Sequence, residues 1–302
     1  MKLATTTGDF GAYASDIAGA VALIKEAGFK YADYGFGRDH GRRDGIYGDN
    51  WKEYLADLQE KMKAMDMKFV QSHAPMGIPG SPLMEDPDYH KQFVADTRRS
   101  IEACGILGIP TCVVHSGYLK DISKEECFER NRQFFRDVIE PAEKYGVNVL
   151  IENFNKMSRE NIYWVDNATD LLAMIEYVDH PMVHACWDAG HANMQEMPQD
   201  EELKILGSHV KALHIQDNRE NGDHHLAPYF GTINLDAVMN GLIDIDYKGY
   251  FTFETGILNG KKREYAKDTR LKLAPLAVKM AAEKLLYEIG KSALDAYGLY
   301  EE

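Results

Sequence analysis

Short apolar runs alternate with longer amphipathic stretches from one end of the chain to the other. The runs read as strands at Leu3–Thr7, Tyr31–Phe36, Lys68–His73, Thr111–His115, Val147–Glu152, Val183–Asp188, Val210–Ile215 and Tyr250–Glu254. The stretches between them read as helices over Asp16–Ala27, Trp51–Met65, Pro87–Leu107, Lys124–Tyr145, Thr169–Tyr177, Glu201–Leu206, Leu235–Leu242 and Asp268–Ile289. Ala27-Gly28, Leu107-Gly108-Ile109-Pro110 and Tyr145-Gly146 each end a helix just before a strand. Lys291–Glu302 reads as a tail packed on the outside. Strand–helix alternation implies a parallel sheet. Eight such units in 302 residues fit a closed (β/α)8 barrel of the α/β class with modest insertions. An open doubly wound sheet is the competing reading. No linker or composition shift divides the chain, so residues 1–302 are expected to form a single domain.

Polar side chains recur where these apolar strands end. Strand three ends at His73, strand four at His115, strand five at Glu152, strand six at Asp188 and strand eight at Glu254, while strand seven carries His214. In a barrel these positions converge on the rim where active sites sit. Each residue alone has a plain alternative: a strand-end His can be a hydrogen-bonded core or loop residue, and a carboxylate can cap the next helix. Together they combine poorly without a cation, because buried unpaired charge is costly. Three carboxylates with imidazoles suit Mn, Zn, Co or Mg better than soft-ligand metals. His191 follows Asp188 by three positions and can approach the same ion or its substrate. Asn221-Gly222-Asp223-His224-His225 offers Asp223 and His225 as a further ligand pair, or forms a hydrophilic turn.

Charge and cysteine usage narrow the function. Lys and Arg number 34 against 48 Asp and Glu, a net charge of −14, which argues against a nucleic-acid partner. Arg38, Arg42 and Arg43, in a Gly-rich loop after strand two, are a local exception: they could grip DNA or a sugar phosphate, or be solvated charges. Cys104, Cys112, Cys127 and Cys186 form no Cys-x-x-Cys pair and read as reduced core thiols. No run approaches the roughly 18 apolar residues of a membrane span, and the first residues read as a strand, not a signal peptide. A cytoplasmic location is expected.

The ordered set His73-Ala74-Pro75, His115-Ser116-Gly117, Glu152, Asp188 with His191, His214, Asp223 with His225, and Glu254 resembles the xylose isomerase-like TIM-barrel superfamily. That superfamily includes sugar isomerases and epimerases and endonuclease IV. The resemblance to the ketose 3-epimerase branch implies that Glu152, Asp188, His214 and Glu254 hold one divalent metal. It also implies that Glu152 and Glu254 are the acid/base pair and that His191 contacts substrate. The endonuclease branch binds three zinc ions at the nine matching positions, which would add His73, His115, His191, Asp223 and His225 as metal sites. Two departures stand out. The epimerases carry an Arg six residues after the strand-seven His, whereas Arg219 lies five after His214; Arg219 stays a candidate substrate contact. Their later loop reads Pro-Gly-x-Gly-x-Ile-Asp, against Pro228-Tyr229-Phe230-Gly231-Thr232-Ile233-Asn234 here, a specialised pocket wall or a packed loop.

The resemblance implies a divalent-metal-dependent isomerase or epimerase of a sugar or sugar phosphate. It would work through a metal-stabilised enediolate, with two glutamates moving the proton. An inosose-type dehydratase and an endonuclease of the endonuclease IV type are the alternatives, and a binding protein without turnover is a third class. The partner expected is a small sugar, with no membrane. Barrels of this kind often pair, which leaves a homo-oligomer open.

Overall fold

The computed structural model describes residues 1–76, 81–83, 85–156, 165–195, 197–258 and 273–302. Its strands are β1 Lys2–Thr6, β2 Tyr31–Gly35, β3 Lys68–His73, β4 Thr111–Val113, β5 Asn148–Glu152, β6 Val183–Asp188, β7 Val210–His214 and β8 Tyr250–Phe253. Every pairing in the sheet is parallel, in the order β7-β6-β5-β4-β3-β2-β1-β8. A bridge between Ile215 and Phe253 spans the remaining seam. There the Ile215 N–H donates to Thr252 O at 2.8 Å and the Glu254 N–H to Ile215 O at 3.1 Å. The ring of eight strands closes as a (β/α)8 barrel, which excludes the open doubly wound sheet.

The helices are α1 Ile17–Ala27, α2 Gly37–Arg42, α3 Trp51–Ala64, α4 Pro87–Leu107, α5 Lys124–Val138, α6 Glu140–Tyr145, α7 Ala168–Val178, α8 Ala189–Asn193, α9 Gln199–Leu206, α10 Leu235–Asp244 and α11 Leu276–Ala296. Their ends follow local chemistry. Asp16 caps α1 by accepting the Gly19 N–H at 2.7 Å, and Ser123 caps α5 by accepting that of Glu126 at 3.1 Å. Each cap stabilises by about 1 kcal/mol. Gly28, Gly108 and Gly146 close α1, α4 and α6 in the left-handed region, at φ 117°, 72° and 70°. None of the helices described is long and apolar enough to cross a membrane. All four cysteines are free and buried, as the sequence suggests.

The structure differs from the sequence reading in several elements. β4 stops at Val113, so His115 lies on the following loop. The stretch 124–145 is two helices, because Pro141 cannot donate to the Asp137 carbonyl; Arg98 Nη1 takes that carbonyl at 2.8 Å. Arg38 and Arg42 lie in α2, and Arg43 is its C-cap, where a loop was expected. Of the helix expected over 268–289, residues 268–272 lie outside the described residues. From Leu276 the helix runs on to Ala296, taking in half of the expected tail. Gly290 looks like a stop signal but is a packing contact. A Cβ there would lie 2.7 Å from Leu3 Cδ2 and from the Phe253 ring, so only glycine lets α11 approach β1 and β8 so closely.

The two-residue period of a strand positions the site. Val113, Leu150, Cys186 and Ala212 point inward and form a small buried cluster. Two residues further along each chain come His115, Glu152, Asp188 and His214, so these polar side chains rise from an apolar floor. The register shifts between Ala185 and Cys186, where Lys211 is the extra residue on β7. Asp188 thereby comes to pair with His214.

Candidate metal centre

One donor atom from each of Glu152, Asp188, His214 and Glu254 lies within 4.8 Å of the other three. That spread is a little wider than one cation's ligand shell, since tetrahedral donors at about 2.0–2.2 Å from zinc lie about 3.3–3.6 Å apart. His214 Nδ1 sits 2.5 Å from Glu152 Oε1 and 3.5 Å from Glu254 Oε2. Glu152, Asp188 and His214 are buried, whereas the Glu254 side chain is 24% exposed and faces the mouth. Glu152 Oε2 and Asp188 Oδ2 are buried without a hydrogen-bond partner among the described residues. Oxygen and imidazole donors, with carboxylate oxygens left over, fit a hard or borderline divalent cation.

Two flanking clusters share these residues. His73 Nε2, His115 Nε2 and Glu152 Oε2 form a second compact donor set. The two imidazole nitrogens are 3.0 Å apart, and His115 Nε2 is 3.1 Å from Glu152 Oε2. Glu152 overcomes the effect of burial on His73 and pulls it up to about 9, while burial pushes His115 down to about 3. On the other flank, Asp223 bridges His191 Nε2 at 3.4 Å and His225 Nε2 at 3.2 Å. The nine expected ligand positions are thus gathered on one rim in three adjoining groups.

The electrostatics favour a cation between the carboxylates. Burial, reinforced by Glu152 and Glu254, pushes the Asp188 carboxyl up to about 7. The imidazoles of His214 and His115 outweigh burial at Glu152 and hold it well below the usual carboxylate range. Asp188 also caps α8, accepting the His191 N–H at 2.6 Å, which fixes His191 beside it.

Some placements depart from expectation. Arg219 is exposed, and its backbone N–H approaches His224 Nδ1 at 3.5 Å. Arg38 donates to the Ala14 and Ser15 carbonyls, and Arg43 pairs with Asp96 at 2.6 Å, so both guanidiniums are engaged within the protein. Tyr229 and Phe230 are 68% and 55% exposed, so they are not a packed loop core. Sequence reasoning missed Asp33, Gln71, Asn153, Phe154 and Gln216. Asn153 exchanges two hydrogen bonds with the Asp188 backbone, at 2.9 and 2.7 Å. The Phe154 ring stands 4.4 Å from that of His191. The Gln216 amide donates to Asp223 Oδ1 at 3.0 Å and approaches Asp188 Oδ1 at 3.4 Å. A Cβ on Gly190 would lie 2.2 Å from Gln216 Cδ, so the glycine makes room for this link. Amides following strand-end ligands, as in Glu152-Asn153, were the signal available.

A parallel eight-stranded barrel with carboxylates and imidazoles on its carboxyl-terminal rim defines a class of metal-competent barrels. The family model of the xylose isomerase-like TIM barrel matches residues 21–274, and the chain belongs to that family. An uncharacterized protein of Methanocaldococcus jannaschii is 27% identical over 209 residues, covering 67% of this chain and 68% of that one. The D-psicose 3-epimerase of Ruminiclostridium cellulolyticum is 29% identical over 144 residues, 47% of this chain and 46% of the enzyme, so the match spans about half its length. A solved D-tagatose 3-epimerase-like protein superposes with a TM-score of 0.73 at 21% identity, covering 99% of this chain and 100% of that one. That likeness establishes the shared fold.

Proposed function

We propose that the protein is a divalent-metal-dependent epimerase or isomerase of a small sugar. The observation that carries this reading is that Glu152 and Glu254, from strands three apart in the ring, enter one donor set with Asp188 and His214. The half-length similarity to a D-psicose 3-epimerase supports it. Glu152, Asp188, His214 and Glu254 would hold the ion. When bound, the ion supplies Lewis acidity to the oxygens of an α-hydroxy ketone and lowers the cost of the enediolate.

The chain's own residues do the rest. One of Glu152 and Glu254 removes the carbon-bound proton, and the other returns a proton to the opposite face, inverting the centre. Return to the neighbouring carbon gives aldose–ketose isomerisation instead. Glu152 is walled off from water, whereas Glu254 meets solvent at the mouth. His191, held by Asp188 and Asn153, would orient a substrate hydroxyl. Arg219 is the proposed contact for the outer end of the sugar. The substrate is a sugar or a sugar phosphate; of the three arginines after β2, Arg38 and Arg43 are engaged with Ala14, Ser15 and Asp96.

The test is to strip the protein, reload it with Mn²⁺ or Co²⁺, and incubate it with a ketose panel in D₂O. Deuterium entering at the carbon beside the ketone, followed by NMR, is the expected result. No exchange into any ketose by protein that demonstrably holds metal would sink the reading. An endonuclease is the second reading, favoured by the additional donor set of His73, His115 and Glu152. It requires metal-dependent incision of an abasic duplex.

A further inference from the structure

Asp33 lies on β2, well inside the barrel and only 1% exposed, with no part in the ligand set. An acid there needs a partner, because a buried carboxylate without a compensating charge or donor is costly. The structure gives it one hydrogen-bond donor and one facing imidazole, while Asp33 Oδ1 and His214 Nε2 have no hydrogen-bond partner among the described residues. Gln71 Nε2 donates to Asp33 Oδ2 at 2.9 Å, and the same oxygen faces His214 Nε2 at 3.5 Å. Gln71 also donates to the carbonyl of Leu213, the residue before His214, at 3.2 Å, so Asp33 is moored to β7 itself. A register shift makes this arrangement: Ala32 pairs with Phe69 but Asp33 pairs with Gln71, leaving Val70 as the extra residue. Such bulges re-aim side chains.

The two nitrogens of His214 face different partners. Nδ1 turns toward Glu152 and Glu254, while Nε2 turns toward Asp33. A histidine that offers Nδ1 to a cation must carry its proton on Nε2, and a carboxylate facing Nε2 selects that tautomer. We propose that Asp33, moored by Gln71, is the positioning residue that holds His214 in the Nε2–H tautomer so that Nδ1 can bind the divalent cation. This rests on the metal-dependent reading above, and the experiment separates the two.

Purified protein is titrated with Co²⁺ and Zn²⁺ in competition with a chelator, alongside Asp33→Asn and Gln71→Met. The asparagine keeps the size of the side chain but can donate to Nε2, which favours the wrong tautomer. The expected loss of metal affinity is about 10–100-fold for Asp33→Asn and smaller for Gln71→Met. Nitrogen-15 histidine NMR of the Zn²⁺-loaded wild type reads the tautomer directly. Zinc on Nδ1 with a protected Nε2–H on His214 is expected, and that measurement needs no variant to fold. Zinc on Nε2 of His214, or a folded Asp33→Asn that binds within twofold of wild type, overturns the proposal. A wild type that binds neither metal overturns both this proposal and the metal-dependent reading.

Discussion

Glu152, Asp188, His214 and Glu254 share one donor set but not one proposed task. Glu152→Gln and Glu254→Gln keep an oxygen donor and lose the base. Both are expected to hold metal at high concentration while turnover falls by about 10²–10⁴. Asp188→Asn removes a charged ligand outside the proton path, and excess metal should restore part of its activity. Steady-state rates across a metal titration check all three, and near-normal turnover by both glutamine variants would refute the paired-carboxylate mechanism. Away from the rim, Asp96 lies beneath His40, Arg43 and Gln92. Burial alone would raise its carboxyl, but hydrogen bonds from those three residues hold it down at about 2. A carboxyl lowered by folding stabilises fully above its unfolded value near pH 4, and that contribution is lost as pH falls toward 2. The amount is on the order of 2 kcal/mol. Asp96→Asn should therefore flatten the fall of Tm between pH 5 and pH 2.5, and melting curves that stay parallel to wild type would contradict this. The candidate donor residues stood out in the sequence because each follows an apolar strand at its end. Asp33 was not, because it sits mid-strand and acquires its role through a bulge that period-two reading does not register.

Among the elements, α11 was legible only as far as Ile289, the residue before Gly290. Local rules take a glycine after a helical pattern as its end, but here the missing side chain serves contact with Leu3 and Phe253. Gly290→Ala should push α11 off β1 and β8, costing about 1–3 kcal/mol, a drop in Tm of roughly 2–10 °C. Gly37→Ala is the control, since a Cβ there meets nothing within 4 Å. Equal Tm changes in the two variants would show that the close approach carries no energy. The short helices α2 and α8 were not foreseen because neither carries enough residues for a periodic pattern. α8 exists because Asp188, a strand end, is also an N-cap. The break between α5 and α6 follows from Pro141, and Arg98 takes the carbonyl that the proline leaves free.

At the scale of the whole molecule, a net charge of −14 leaves few counterion-releasing contacts for a duplex. The protein should not shift an abasic-site duplex in a gel at moderate salt. Retention with efficient metal-dependent incision would move the function to the nuclease branch. The barrel was legible because eight alternating units admit few closed solutions. The three-way grouping of the rim was not, because it depends on side-chain directions that only the closed ring fixes. That closure also sets a timetable. β1 pairs with β8 through Lys2 with Tyr250 and Thr5 with Phe253, partners about 250 residues apart in the chain. A ribosome adding about 5–20 residues per second needs roughly 12–50 s to supply the second partner. Until then β1 is a strand with a bare edge, open to any other extended segment nearby. For this chain the hazardous interval lies during its synthesis, and a factor that shields the first strand in those seconds would raise the yield of folded protein without touching the stability of the finished barrel.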